Sequence, residues 1–269
     1  MRRNYPMPAQ RPSKAAVVCC VGVAAVLVLA VLVLEVSQAA HPLITEDTGT
    51  QGHSNLQFEL TAERSDDTAD GTNKQAVQSN AVLAYGARDN LDLLFTLPHK
   101  RERSETDGSI DVVSGWGDAG LDLKWRFYER GSLSFALKPG VTLPTGDEAR
   151  GLGTGRAAYS LFLVTSFDLS PWAFHIQLGH YENRNVNDEQ VDLQHFSLAA
   201  TREYGQLKVV ADLGTITNTD KTSNNNPAFS IVGLIYAVNK SLELDIGYMK
   251  GVSYTEADHS LMGGATFRF

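Results

Sequence analysis

The feature that most constrains this chain is a succession of twelve segments, each about ten residues long, in which apolar side chains recur at every second position. They span approximately residues 55–64, 75–86, 90–98, 117–128, 132–143, 156–167, 172–182, 193–203, 206–217, 228–238, 241–250 and 260–269. A period of two is the strand period, and no amphipathic helix longer than a turn or two interrupts it. Along the middle of the clearest segments, charge falls on the face opposite the apolar one. In 117–128, Ala119, Leu121, Leu123, Trp125 and Phe127 oppose Asp122, Lys124 and Arg126; in 241–250, Leu242, Leu244, Ile246 and Tyr248 oppose Glu243 and Asp245. In 206–217, Leu207, Val209, Ala211 and Leu213 oppose Lys208 and Asp212. Such segregation suits a wall with lipid on one side, where a Lys or Arg at the bilayer centre costs about 2–4 kcal/mol.

A soluble antiparallel sandwich also alternates, so the connections carry the next step. Tight turns at Ala87-Arg88-Asp89, Glu129-Arg130-Gly131, Asp168-Leu169-Ser170-Pro171, Tyr204-Gly205 and Asn239-Lys240 alternate with long polar joints at 65–74, 99–116, 144–155, 183–192, 218–227 and 251–259. Strict short-long alternation is the mark of an up-and-down barrel and is foreign to Greek-key sandwiches. The expected fold is therefore all-β, a transmembrane antiparallel up-and-down barrel of about twelve strands. Because an open edge in lipid leaves unpaired N–H and C=O groups, the first strand should pair with the last.

Ahead of the barrel, Ala15 to Leu34 is uncharged, is preceded by Arg2, Arg3, Arg11 and Lys14, and is followed by Ser37-Gln38-Ala39. Residues 1–39 read as a signal peptide, with an uncleaved anchor as the alternative. Residues 40–54 read as a periplasmic lead-in and 55–269 as the barrel. Cleavage removes Cys19 and Cys20, so disulfide and thiol chemistry leave with the signal. The mature chain then carries 19 basic against 30 acidic residues, a net charge of -11, which argues against nucleic acid as a partner.

Three stretches carry a family likeness: His41-Pro42-Leu43-Ile44-Thr45-Glu46-Asp47-Thr48-Gly49-Thr50; Gly115-Trp116-Gly117-Asp118-Ala119-Gly120-Leu121-Asp122-Leu123-Lys124-Trp125-Arg126; and Leu143-Pro144-Thr145-Gly146-Asp147 with Gly151-Leu152-Gly153-Thr154-Gly155. The chain resembles the outer-membrane family named for the meta-pathway of phenol degradation, whose members are often labelled transporters. The resemblance implies a barrel that passes small organic molecules and implies no catalytic residue. The terminal strand, with Leu261, Gly263, Ala265, Phe267 and Phe269 on one face, resembles the C-terminal signature read by the barrel-insertion machinery.

The function expected is an outer-membrane channel or transporter for small aromatic or hydrophobic solutes. Asp122, Lys124, Arg126, Lys138, Lys208, Asp212, Glu243 and Asp245 are the candidates for the solute path, since rings of charge set selectivity. Glu59, Glu63, Asp92 and Arg268 share the inner face. Expected surroundings are outer-membrane lipid and lipopolysaccharide, with both termini periplasmic and the long loops outside; no cofactor and no metal site is expected. Two alternatives stand beside this reading. Twelve strands lie between filled and open barrels, so the same charges could pair across strands and plug a structural or adhesion barrel. An outer-membrane lipid hydrolase would use His195 and Ser197 on the inner face of the eighth segment, with His175, Gln177 and Tyr181 on the seventh.

Overall fold

The computed structural model describes residues 41–269 apart from Asp70; the expected signal peptide lies outside the described residues. Thirteen strands follow in chain order: β1 (Leu56–Ala69), β2 (Thr72–Arg88), β3 (Leu91–Thr106), β4 (Ser109–Trp116), β5 (Ala119–Arg130), β6 (Leu133–Leu143), β7 (Ala158–Leu169), β8 (Trp172–Glu182), β9 (Asp192–Tyr204), β10 (Leu207–Ile216), β11 (Ala228–Asn239), β12 (Leu242–Gly251) and β13 (His259–Arg268). Each pairs antiparallel with its neighbour, and β1 closes on β13 from Gln57↔Arg268 to Asp66↔His259. Phe269 finishes the seam: its N–H donates to Leu56 O at 2.9 Å and its carbonyl accepts from Leu56 N at 3.2 Å.

The wall is a closed twelve-stranded barrel because β4 and β5 share one position. Both run antiparallel to β3: β4 pairs along His99–Thr106 and β5 along Leu91–Thr96. The strand is broken at Gly117-Asp118. Two of the expected long joints are corrected here. Residues 65–74 and 99–116 are mostly strand, paired out to Ala69↔Thr72 and Thr106↔Ser109. The second hairpin turns at Asp107-Gly108, both at positive φ (49° and 77°), the Asp-Gly choice that a tight hairpin favours. Their alternation was invisible to hydropathy because these arms, rich in Arg, Glu, Thr, Asn and Gln, extend past the apolar belt, where no lipid demands an apolar face.

Within the belt the alternation holds. Leu60, Leu83, Leu93, Phe95, Leu121, Leu161, Leu178, Leu198, Leu213, Leu234 and Ile246 are exposed on the outside, while Glu59, Asp92, Lys124, Lys138, Gln177, Ser197 and Asp212 are buried inside. At the short-turn end, Trp125, Phe127, Tyr128, Phe167, Trp172, Phe174, Tyr204, Tyr236 and Phe269 face outward, an aromatic girdle. A bulge between Arg126 and Tyr128 allows Phe127 and Tyr128 both to remain exposed. Arg202 lies 4.9 Å from the ring centroids of both Trp172 and Tyr204.

At the long-loop end the connections 144–157, 183–191, 217–227 and 252–258 are irregular or short turns. In the last, burial, with Glu63 and Asp67 nearby, pushes the Glu256 carboxyl up from 4.5 to about 7, against the opposing hydrogen bond from Ala257 N–H. The seated loop therefore binds a proton that the released loop gives up. Its seating is fully favoured below about pH 4.5 and loses that contribution as pH rises through about 7. The protection factors of the 252–258 amides, with the base-catalysed intrinsic rate divided out, are expected to fall between pH 6 and 8, and a Glu256→Gln variant should flatten that profile.

Candidate functional site

Residues 41–51, within the stretch 40–54 expected as a periplasmic lead-in, run along the inside of the barrel wall. They lack regular secondary structure, so their backbone groups need partners from the wall, and the inward polar residues supply them. Asp212 on β10 accepts from Ile44 N–H and Thr45 N–H, both at 2.7 Å, and from the Thr45 hydroxyl at 2.6 Å. Gln177 Oε1 on β8 accepts from Glu46 N–H at 2.7 Å. Ser166 Oγ on β7 accepts from Thr48 N–H at 3.0 Å, while the Thr48 hydroxyl meets Ser134 Oγ on β6. Asp92 on β3 accepts from Gln51 N–H at 3.1 and 3.0 Å with its two oxygens. His41 Nδ1 contacts Asp245 on β12.

Charge completes the grip. Glu46 and Lys138 are both fully buried and ion-paired, and Lys124 Nζ stands 3.4 Å from Glu46 Oε2 and 3.3 Å from Asp47 Oδ1. Two carboxylates from the segment and two ammonium groups from β5 and β6 thus form one buried cluster. Such a cluster tolerates burial only while every partner is present. Apolar contacts flank it: Leu43 packs with Ala199, Val210 and Ile235, and Ile44 against Phe229, Ile231, Met249 and Met262. Glycine makes room where the segment comes closest. A Cβ on Gly86 would stand 1.8 Å from Gly52 O, and one on Gly233 or Gly247 about as close as 2.5 or 2.6 Å to Pro42.

The eight residues expected on the solute path divide into two groups. Lys124, Lys138, Asp212 and Asp245 hold the internal segment. Asp122 lies beside them, so close to Gly140 that a Cβ there would fall 2.1 Å from its Oδ1. Arg126, Lys208 and Glu243 sit nearer the short turns and pair with Glu129 (3.2 Å), Glu203 (3.6 Å) and Arg268 (2.7 Å). The segment's own residues, above all Glu46, Asp47 and Thr45, were not among the candidates. The signal that could have found them is the non-alternating stretch Pro42–Thr50, with two acids set beside Leu43 and Ile44 and no strand period to explain it.

His195 Nε2 does meet Ser197 Oγ, at 2.9 Å. Ser197 is 0% exposed, however, so its hydroxyl presents no surface to a substrate. His175 is likewise engaged by Ser166 Oγ at 2.8 Å. Phe162 stacks edge-on to Tyr181 (5.0 Å) and to His195 (6.0 Å), filling this side of the lumen with rings.

The second and third of the stretches that carry the family likeness also meet in space. Asp118, at the break between β4 and β5, is 3% exposed. Its Oδ1 accepts from Gly146 N–H at 2.8 Å, and its Oδ2 from Thr154 N–H at 2.7 Å and the Thr154 hydroxyl at 3.0 Å. Ala119 N–H donates to Thr145 Oγ1 at 2.8 Å, and buried Leu152 covers Gly115 and Gly117. The break in the strand thus anchors loop 144–157.

Residues 87–269 match the family described as "Putative MetA-pathway of phenol degradation". The chain belongs to this family. No curated protein sequence matches it. Among solved structures, it resembles an outer membrane channel from Pseudomonas putida F1 at 17% identity and a TM-score of 0.68, covering 83% of this chain and 98% of that one. The translocator domain of the autotransporter NalP from Neisseria meningitidis follows at 10% identity and a TM-score of 0.54, with 81% and 90% covered. The NanC porin aligns at 8% identity and 0.51, with 79% and 98% covered. At these identities the likeness is one of fold: the family member is a barrel of the outer-membrane kind.

Proposed function

We propose that this family member is an outer-membrane channel for small aromatic or hydrophobic solutes, with residues 41–51 as the element that restricts its lumen. Both termini and the short turns would face the periplasm, and the hairpin arms and long loops the outside. The observation that carries the reading is the internal segment itself. It is held by hydrogen bonds and ion pairs to the inward charges of the wall, which are contacts that water or a passing solute can replace one at a time. Inward rings and thioethers, namely Phe162, Tyr181, Phe229, Met249 and Met262, offer an adaptable apolar surface beside that polar track. The family description and the fold likeness to outer-membrane channels support the same class.

A filled structural barrel draws on the same buried cluster, and conductance separates the two. Purified mature protein in planar bilayers is expected to give small, discrete conductance steps, and proteoliposomes should admit a small aromatic solute faster than protein-free vesicles. Absence of both current and flux would leave the filled barrel.

A further inference from the structure

The outer wall is not uniform. Following the strand register from β12 to β3 gives horizontal rows of outward side chains. The highest of interest runs Lys250, His259, Asp66, Gln75, Arg103, and the next runs Tyr248, Leu261, Arg64, Val77, Arg101. Two steps of register below Arg64 and Arg101, the wall is Leu60, Ala81 and Leu97, within the apolar belt. The basic band therefore stands directly above the belt at the long-loop end. Four full cations share it with two carboxylates: Asp66, 3.5 Å from Arg64 Nε and 3.9 Å from His259 Nε2, and Glu105, 2.8 Å from Arg103 Nη2. Arg101 is exposed and makes no ion pair among the described residues. On the far side of the barrel Glu182 lies across from Asp192, with Arg184 2.6 Å from Glu182 and His180 3.9 Å from Asp192, so charge there is balanced or acidic. The excess of cations belongs to one face.

A second feature lies immediately beneath it. From the top of the belt up to the band, Ala62, Ser79, Ala81, Gly263 and Ala265 leave the wall shallow, making a trough of about 400 Å³. Trp116 and His99, packed edge to face at 5.1 Å, form one side of it. Small residues on a lipid-facing surface leave room for a chain to lie against the backbone, and bulky neighbours hold it in place.

The geometry points to a specific binding site on β13–β1–β2–β3 for a phosphorylated, acylated glycolipid of the lipid A type. An acyl chain occupies the trough and a head-group phosphate sits on Arg64 and Arg101. Guanidinium groups hold phosphate by paired charge-assisted hydrogen bonds, and the two arginines lie on alternate strands with only Val77 between them. Basic residues placed at head-group height beside an apolar face are the general arrangement for lipid head-group recognition. This inference rests on the outward orientation of the long loops proposed above.

The test uses the mature barrel in detergent-free nanodiscs of phosphatidylethanolamine, with native mass spectrometry reading bound lipid. The probes are bisphosphorylated lipid A, the same lipid with both phosphates removed, and inorganic phosphate as competitor. Wild type should retain lipid A about ten-fold better than the Arg64→Gln/Arg101→Gln variant, and retain the dephosphorylated lipid no better than that variant does. Ala81→Trp, which fills the trough and leaves the arginines in place, should lose retention as well. Equal retention by wild type and the arginine variant, or by the two lipids, overturns the site; displacement by inorganic phosphate alone reduces it to a phosphate contact and overturns the lipid. Orientation is read separately from a single cysteine, Asp111→Cys, exposed on β4 just past the Asp107-Gly108 turn, using an impermeant maleimide on intact cells. Labelling with no arginine dependence removes the lipid site and leaves the orientation standing. A shielded Cys removes the orientation, and with it access to outer-leaflet lipid.

Discussion

Replacing Glu46 with Gln is expected to raise single-channel conductance several-fold and to give a weakly cation-preferring current. Glu46 meets both buried ammonium groups, Lys138 and Lys124. Loss of one partner from a buried ion pair weakens it by about 3–5 kcal/mol, more than the remaining hydrogen bonds from Thr45 and Thr48 contribute singly. The segment should therefore leave its seat for much of the time, and the wall groups it uncovers carry both signs, Lys124 and Lys138 against Asp92, Asp212 and Asp245. Planar-bilayer recording in a salt gradient gives both quantities, conductance from step height and selectivity from reversal potential. Unchanged steps would mean that the segment is fixed by its backbone contacts to Asp212 and Gln177. Asp212→Asn, which keeps the shape and weakens three contacts, then becomes the informative variant.

The second large effect is expected at Asp118→Ala. Two part-buried N–H groups, of Gly146 and Thr154, lose their acceptor at once, and the Thr154 hydroxyl loses a third contact. An unmet buried donor costs about 1–3 kcal/mol, and water reaches these in part, so the loss is on the order of 2–3 kcal/mol, concentrated in one loop. Loop 144–157 should detach while the barrel stays closed, because the β3–β5 and β5–β6 ladders do not depend on the Asp118 side chain. Arg150 and Arg156 would then be open to trypsin, and cleavage there should quicken about ten-fold or more with the heat-modifiable band of the folded barrel retained. Cleavage at the wild-type rate would show that Leu152 and Thr145 suffice to hold the loop.

What could be read from the sequence follows the demands of the solvent. Wherever lipid touches the wall, an outward apolar residue is compulsory. Leu121, Leu213 and Ile246 therefore announced their strands, and their inward partners Lys124, Asp212 and Asp245 could be assigned to the lumen. Past the belt that compulsion ends, and the paired arms 98–106 and 109–116 passed for a loop although Asp107-Gly108 marked the turn. The internal segment was harder for a different reason. Its contacts join Thr45 to Asp212 and Glu46 to Lys138, across most of the chain, and irregular backbone leaves no period to follow. The quoted motif 41–50 marked the place without saying what it touches. Asp118 was likewise quoted only as part of a motif; its work, accepting from two loop N–H groups, becomes visible once residues 143–154 are beside it.

With the exception of Thr48, which reaches β6 and β7, the internal segment meets the wall broadly in reverse chain order. Gln51 touches Asp92, Asp47 touches Lys124, Glu46 touches Lys138 and Gln177, Thr45 touches Asp212, and His41 touches Asp245. These footholds lie on strands spread from β3 to β12, so no part of the wall seats the segment alone, and the full set of contacts exists only once those strands stand together in the closed barrel.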